Sequence, residues 1–238
     1  MIMKKIFYKS TSRGHQNHGW LNAKHTFSFA NYYDPERINF GALRVLNDDI
    51  VEGGRGFGTH PHDNMEIITI PLYGKLAHQD SMGFSGIIES GEVQVMSAGS
   101  GIQHSEFNAD QNKSLNLFQI WIFTNKLNVE PRYDSKVFDF LNEKNELILV
   151  VSPNGEDESL WIHQNAWISV GNFDKDVSLD YTLKNKNNGA FIMSIEGEFM
   201  ADSQLLEKRD AVGIWNTSDV QVKSLSDNGR VLIIEVPM

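Results

Sequence analysis

The chain has 238 residues, 40% of them apolar and 22% charged, with no cysteine and a formal net charge of −10. Such a chain can bury a core, but it excludes disulfides, thiolate metal sites and cysteine nucleophiles, and its charge disfavours contact with a phosphate backbone. Any metal held here must use nitrogen and oxygen ligands.

From the N-terminus, Lys4, Lys5 and Lys9 flank only a short apolar stretch at 6–8. A signal-peptide core needs about 7 to 15 apolar residues, and a spanning helix roughly 18 to 20. The expectation is a cytoplasmic protein with no membrane segment. β-favouring runs then recur at 26–33, 42–46, 65–72, 94–97, 115–123, 147–152, 190–195 and 231–236, separated by Gly, Asn, Asp and Ser. Many short strands with regular turn signals and no long helical stripe predict an all-β barrel or sandwich.

A weak internal echo accompanies the strands: the run from Ile67 ending at Gly74 is matched by the run from Phe191 ending at Gly197. Two related barrels follow, with the turn-rich, charged segment 131–146 as the crossing between them. The second copy lacks the histidines of the first, so chemistry is expected in the N-terminal half.

There, His60-Pro61-His62 and His104-Ser105-Glu106 are each pairs two residues apart. On a strand such residues project to one face, so two adjacent strands could gather three imidazoles and a carboxylate around one point, leaving coordination positions open. An isolated His-x-His is more often a surface or hydrogen-bonding pair. The surrounding glycines strengthen the metal reading: Gly54, five residues, His60, one, His62, three, Glu66, seven, Gly74; then Gly91, seven, Gly99, four, His104, three, Asn108.

This spacing resembles the two signature motifs of the cupin superfamily. More narrowly, Gly58-Thr59-His60-Pro61-His62, Met96-Ser97-Ala98-Gly99 and Gly101-Ile102-Gln103-His104-Ser105-Glu106 resemble the pirin branch. Gly19-Trp20-Leu21, His25-Thr26-Phe27-Ser28-Phe29 and His78-Gln79-Asp80-Ser81 do so as well. The resemblance implies a bicupin, two jelly-roll-like β-barrels packed together: residues 1–135 as a metal-binding barrel and 136–238 as a cupin-like barrel without metal ligands. Spacing leaves open whether Glu66 or Glu106 joins the histidines. In pirins it is the second, so the resemblance implies His60, His62, His104 and Glu106 as ligands, Glu106 doubling as a general base, and Glu66 as an outer partner that orients an imidazole.

The implied cofactor is one divalent transition metal ion, iron foremost, with nickel, copper, cobalt, manganese or zinc as alternatives, and no organic cofactor. The implied activity is that of bacterial members described as quercetin 2,3-dioxygenases: cleavage of a flavonol or similar enolic aromatic with dioxygen, releasing carbon monoxide. The rival is a metal-containing regulatory protein that acts through a protein partner without turnover; a third possibility is isomerisation or hydrolysis with a redox-inert ion. Phe57, Met65, Phe107 and Phe118 are candidate walls for a planar ligand, although each taken individually reads better as barrel core. His18 and His25 read as structural, and His78 and His163 fall outside the site. A monomer is expected, because two barrels in one chain already bury the face that a single barrel would bury by dimerising.

Overall fold

The computed structural model describes residues 2–238. Two seven-stranded sheets face each other, and each is closed into a barrel by a four-stranded sheet on its far side. In the first large sheet the spatial order is Arg132–Val137, Glu92–Ser97, Met65–Tyr73, Leu115–Phe123, Leu43–Val51, Leu21–His25 and Gly14–Asn17. Its small sheet runs Gly56–His62, Ile102–Asn108, Lys75–Asp80 and Ser85–Glu89. In the second half, Asn188–Glu196 and Gly229–Pro237 take the central places that Met65–Tyr73 and Leu115–Phe123 hold in the first. The internal echo is therefore a repeat of sheet order, and Gly74 and Gly197 both turn with positive φ, 86° and 78°.

Alternation along the strands decides what each face does. Ile68, Ile70, Phe118 and Ile120 point from the first large sheet toward the second, where they join Phe191, Met193, Leu232 and Ile234 in one shared core. Phe118 has no exposed surface, and the Arg209 guanidinium lies 5.0 Å from its ring centroid. Phe118→Ala is expected to cost about 3–5 kcal/mol in urea unfolding, the usual loss for a buried aromatic ring; a loss under about 1 kcal/mol would mean the junction between barrels carries little of the stability.

The opposite, inward faces differ between the two barrels. The second is filled with apolar side chains, among them Phe173, Tyr181, Phe199, Val220 and Val222. The first is lined in part by polar ones: His25, Asn47, Asp49, Thr69 and Gln94 are all buried. At its ends, Leu76 and Ile88 pack on Leu115 and Leu117, and Ile102 on Ile67 and Met96, which joins the small sheet to the large one.

Three local expectations need correction. The run 26–33 forms no long strand: Leu21–His25 ends before it, Ala30 takes φ 49°, and only an isolated bridge joins Phe29 to Tyr32. The crossing 131–146 opens with a strand, Arg132–Val137, that pairs with Glu92–Ser97. Lys4–Tyr8, in the N-terminal half by sequence, pairs with Ala211–Trp215 in the second sheet. Tyr8 anchors it there, 5.3 Å from Phe191 and 5.7 Å from Phe27 between ring centroids. A division at residue 135 thus leaves one strand of the second sheet with the first half.

Candidate metal centre

Gly56–His62 and Ile102–Asn108 run antiparallel with His104 opposite His60 and Ile102 opposite His62. A bulge between His104 and Glu106 shifts the register, so Glu106 stands opposite Phe57. The ring centroids of His60, His62 and His104 lie 4.4 to 4.9 Å from one another. One nitrogen from each falls within 4.8 Å of the others. A second trio under the same limit is His78, His104 and Glu106. His104 is common to both, so five side chains converge on one end of the first barrel.

The protonation states suit a metal ion. His60 Nδ1 donates to the Gly58 carbonyl at 2.8 Å, which leaves Nε2 with its lone pair facing outward from that bond. His104 is buried, and neither of its ring nitrogens has a hydrogen-bond partner. Burial, then the neighbouring His60, pushes His62 down to about 4, and burial with His60, His62 and His78 around it pushes His104 down to about 2. Near neutral pH these imidazoles carry no proton that an ion would need to displace. Two orphaned buried nitrogens on His104, between His60 and His62, fit a divalent ion better than they fit a packed core.

Glu106 is 3% exposed, and burial raises its carboxyl to about 7 against the hydrogen bonds from Gln119 and Thr69 that lower it. The Gln119 side-chain N–H donates to Glu106 Oε2 at 3.0 Å. His78, also buried, meets Asp80 Oδ2 through Nε2 at 3.4 Å and leaves Nδ1 without a partner. Its ring centroid is 5.2 Å from that of His104, beside the cluster rather than apart from it.

Glu66 does not orient an imidazole. It sits on the same strand face as Ile68, toward the second barrel, where Oε2 accepts a 2.6 Å bond from the Ser97 hydroxyl. Burial raises its pKa, offset by Ser97 and by the backbone at His163 in the other half. Phe107 and Phe118 are corrected likewise. Phe107 alternates with Glu106 and is 41% exposed on the outer face of the small sheet, while Phe118 belongs to the core between the barrels. Phe57 stands opposite Glu106 in register and meets Trp20 edge-on at 5.4 Å, near Leu21 and Val51, and Met65 packs with Trp121 on the apolar cluster of Ile67, Met96 and Ile102.

Trp121, Gln119, Thr69 and His78 are the neighbours that sequence reasoning missed. Trp121 stands edge-on to His62 at 4.9 Å. Each could have been found from strand alternation once the register with the ligand strands was known; His78 and Asp80 even share the two-residue spacing of the ligand pairs. His25 is buried with Nδ1 bonded to Asn47 Oδ1 at 2.8 Å and Nε2 without a partner, whereas His18 lies exposed at the surface.

Asp49 faces the same interior. Burial, then Asp48 and Glu106, lifts its carboxyl to about 8. Because the folded protein holds this proton more tightly than the unfolded chain, the contribution of Asp49 is fullest below about pH 4 and is lost as pH rises to about 8. His62 and His104 shift stability the other way, but only below 6.5. Between pH 6.5 and 8 the metal-free protein is therefore expected to lose about 2 kcal/mol through Asp49, at about 1.4 kcal/mol per pH unit. Asp49→Asn should remove most of that slope in urea unfolding; an unchanged slope would assign it to other groups.

A family model described as Pirin matches residues 7–122, and one described as Quercetinase C-terminal cupin domain matches residues 149–236. The chain is 42% identical over 229 residues to a quercetin 2,3-dioxygenase of Escherichia coli (strain K12), covering 96% of this chain and 97% of that one. It is 37% identical over 234 residues to a pirin-like protein of Caulobacter vibrioides, covering 98% and 99%. A crystal structure of the bacterial pirin YhhW from Escherichia coli in complex with nickel(II) superposes with a TM-score of 0.93 at 39% identity, covering 98% of this chain and 99% of that one. This chain belongs to the pirin family.

Proposed function

We propose that the protein holds one divalent transition metal ion through His60, His62, His104 and Glu106 and is a dioxygenase of the quercetin 2,3-dioxygenase type. The observation that carries the reading is the convergence of three imidazoles, two of them with depressed pKa values, beside a buried carboxyl poised near 7. Relatives named quercetin 2,3-dioxygenase and a nickel(II) complex of a bacterial pirin support it. The bound ion supplies a Lewis acid that anchors the enolic oxygen of a flavonol and a redox partner for dioxygen.

The chain supplies the rest. His60, His62 and His104 are fixed by paired strands, so the open side of the cluster is set by the backbone rather than by mobile loops. Glu106 accepts the proton of the substrate hydroxyl. Trp121, Met65 and Phe57 provide apolar surface beside the cluster for a flat aromatic ring. Cleavage of the flavonol consumes one dioxygen and releases one carbon monoxide.

The test is carbon monoxide release from quercetin after anaerobic loading of each candidate metal and admission of air. Release that tracks metal occupancy supports the dioxygenase. Conversion without oxygen uptake would move the site to isomerisation or hydrolysis, and full occupancy without conversion would favour a regulatory protein.

A further inference from the structure

One row of the first large sheet is polar across its five inner strands. His25, Asn47, Gln119, Thr69 and Gln94 stand in register on neighbouring strands, all facing the barrel interior. The adjacent row, Val45, Trp121, Ile67 and Met96, is apolar apart from the indole nitrogen. Burying polar side chains where apolar ones would pack costs free energy unless their hydrogen bonds are met. In the middle of the row they are met by the candidate metal ligand.

We infer that Gln119 is a positioning residue that holds Oε2 of Glu106, so that a metal ion is offered Oε1 alone. The inference rests on the reading of Glu106 as a ligand. Thr69 has one hydroxyl proton, and its oxygen lies 3.1 Å from Gln119 Oε1 but 3.5 Å from Glu106 Oε1. The proton therefore goes to the amide. This orients Gln119: with its oxygen turned to Thr69, its N–H meets Glu106 Oε2 at 3.0 Å. A flipped amide would keep Thr69 Oγ1 as an acceptor for its N–H but would set its oxygen against the carboxylate and lose the bond to Oε2. Oε2 is thus committed to a donor, and Oε1 keeps only the long Thr69 contact.

The strands explain why this arrangement is rigid. Gln119 is central in Leu115–Phe123, with Asn47 opposite on one side and Thr69 on the other, so its backbone has no edge freedom. Glu106 follows a bulge, which by itself leaves its side-chain direction less constrained. Gln119 makes up for that loosened register. One hydrogen bond to a charged oxygen, locked by a second from Thr69, converts a flexible ligand into a one-oxygen ligand of fixed direction.

The experiment compares wild type with Gln119→Met, which keeps length and loses the donor, Thr69→Val, which unlocks the amide, and Glu106→Gln. Nickel(II) affinity is measured by chelator competition and ligand geometry by electron paramagnetic resonance of the copper(II)-loaded protein, with circular dichroism to verify folding. Gln119→Met is expected to lower affinity by about 10- to 100-fold, the usual effect of losing an outer hydrogen-bond partner, and to change the copper spectrum. Thr69→Val should shift both in the same direction by less, and it alone decides if Gln119→Met does not fold. Wild-type affinity and spectrum in folded Gln119→Met or, failing that, in Thr69→Val, with both altered in Glu106→Gln, would overturn the role of Gln119 alone. If Glu106→Gln changes neither, the ligand reading falls as well.

Discussion

His104→Ala is expected to lower metal affinity by more than about 100-fold, beyond the range seen for an outer hydrogen-bond partner, and to abolish turnover. His104 is the one side chain shared by both trios at the site, and it is nearly fully buried. Its two ring nitrogens have no protein partner, so removing them relieves an unpaired buried group even as it opens a small cavity. The metal-free variant should therefore remain folded. Elemental analysis after purification, with the thermal shift on adding nickel(II), checks this: metal content should fall to background and the shift should vanish. Wild-type occupancy in folded His104→Ala would mean that the ion sits elsewhere.

The second large effect is the pH dependence of metal binding. Glu106 carries a proton below about 7, whereas His62 and His104 are neutral down to about 4 and 2. An ion that uses Glu106 must displace that one proton, so affinity is expected to rise about tenfold per pH unit up to 7 and then level off. Chelator competition between pH 5.5 and 8.5 measures the slope, and Glu106→Gln should flatten it. A flat wild-type profile below 7 would mean that the carboxylate stays outside the coordination sphere.

Much of this was legible in the chain. Seven of the eight β runs lie within or overlap strands of the structure, because β-branched residues on alternating faces leave few other ways to pack. The eighth, 26–33, is as aromatic as a strand, yet Ala30 at positive φ turns it back, and Phe27 packs across the junction 5.8 Å from Phe191 between ring centroids. The gathering of His60, His62 and His104 was legible because a two-residue spacing on paired strands carries its own geometry, whereas spacing left Glu66 and Glu106 open and only the resemblance to pirins favoured Glu106. Phe107 and Phe118 were not, since their placement depends on which face of each strand meets which sheet. Glu66 illustrates the same limit: one residue of alternation separates it from Ile67 and sends it to the other barrel. Gln119 and Thr69 pair with each other across 50 residues of sequence and meet Glu106 from the other sheet of the barrel, and no local pattern announces them.

The centre itself is tested most directly by an anomalous difference map from crystals of the nickel- or iron-loaded protein, collected on both sides of the metal absorption edge. A single peak within coordination distance of His60, His62, His104 and one oxygen of Glu106 is the predicted result. A peak held by His78 with Glu106 turned away, or none at this end of the first barrel in a fully loaded crystal, would contradict it.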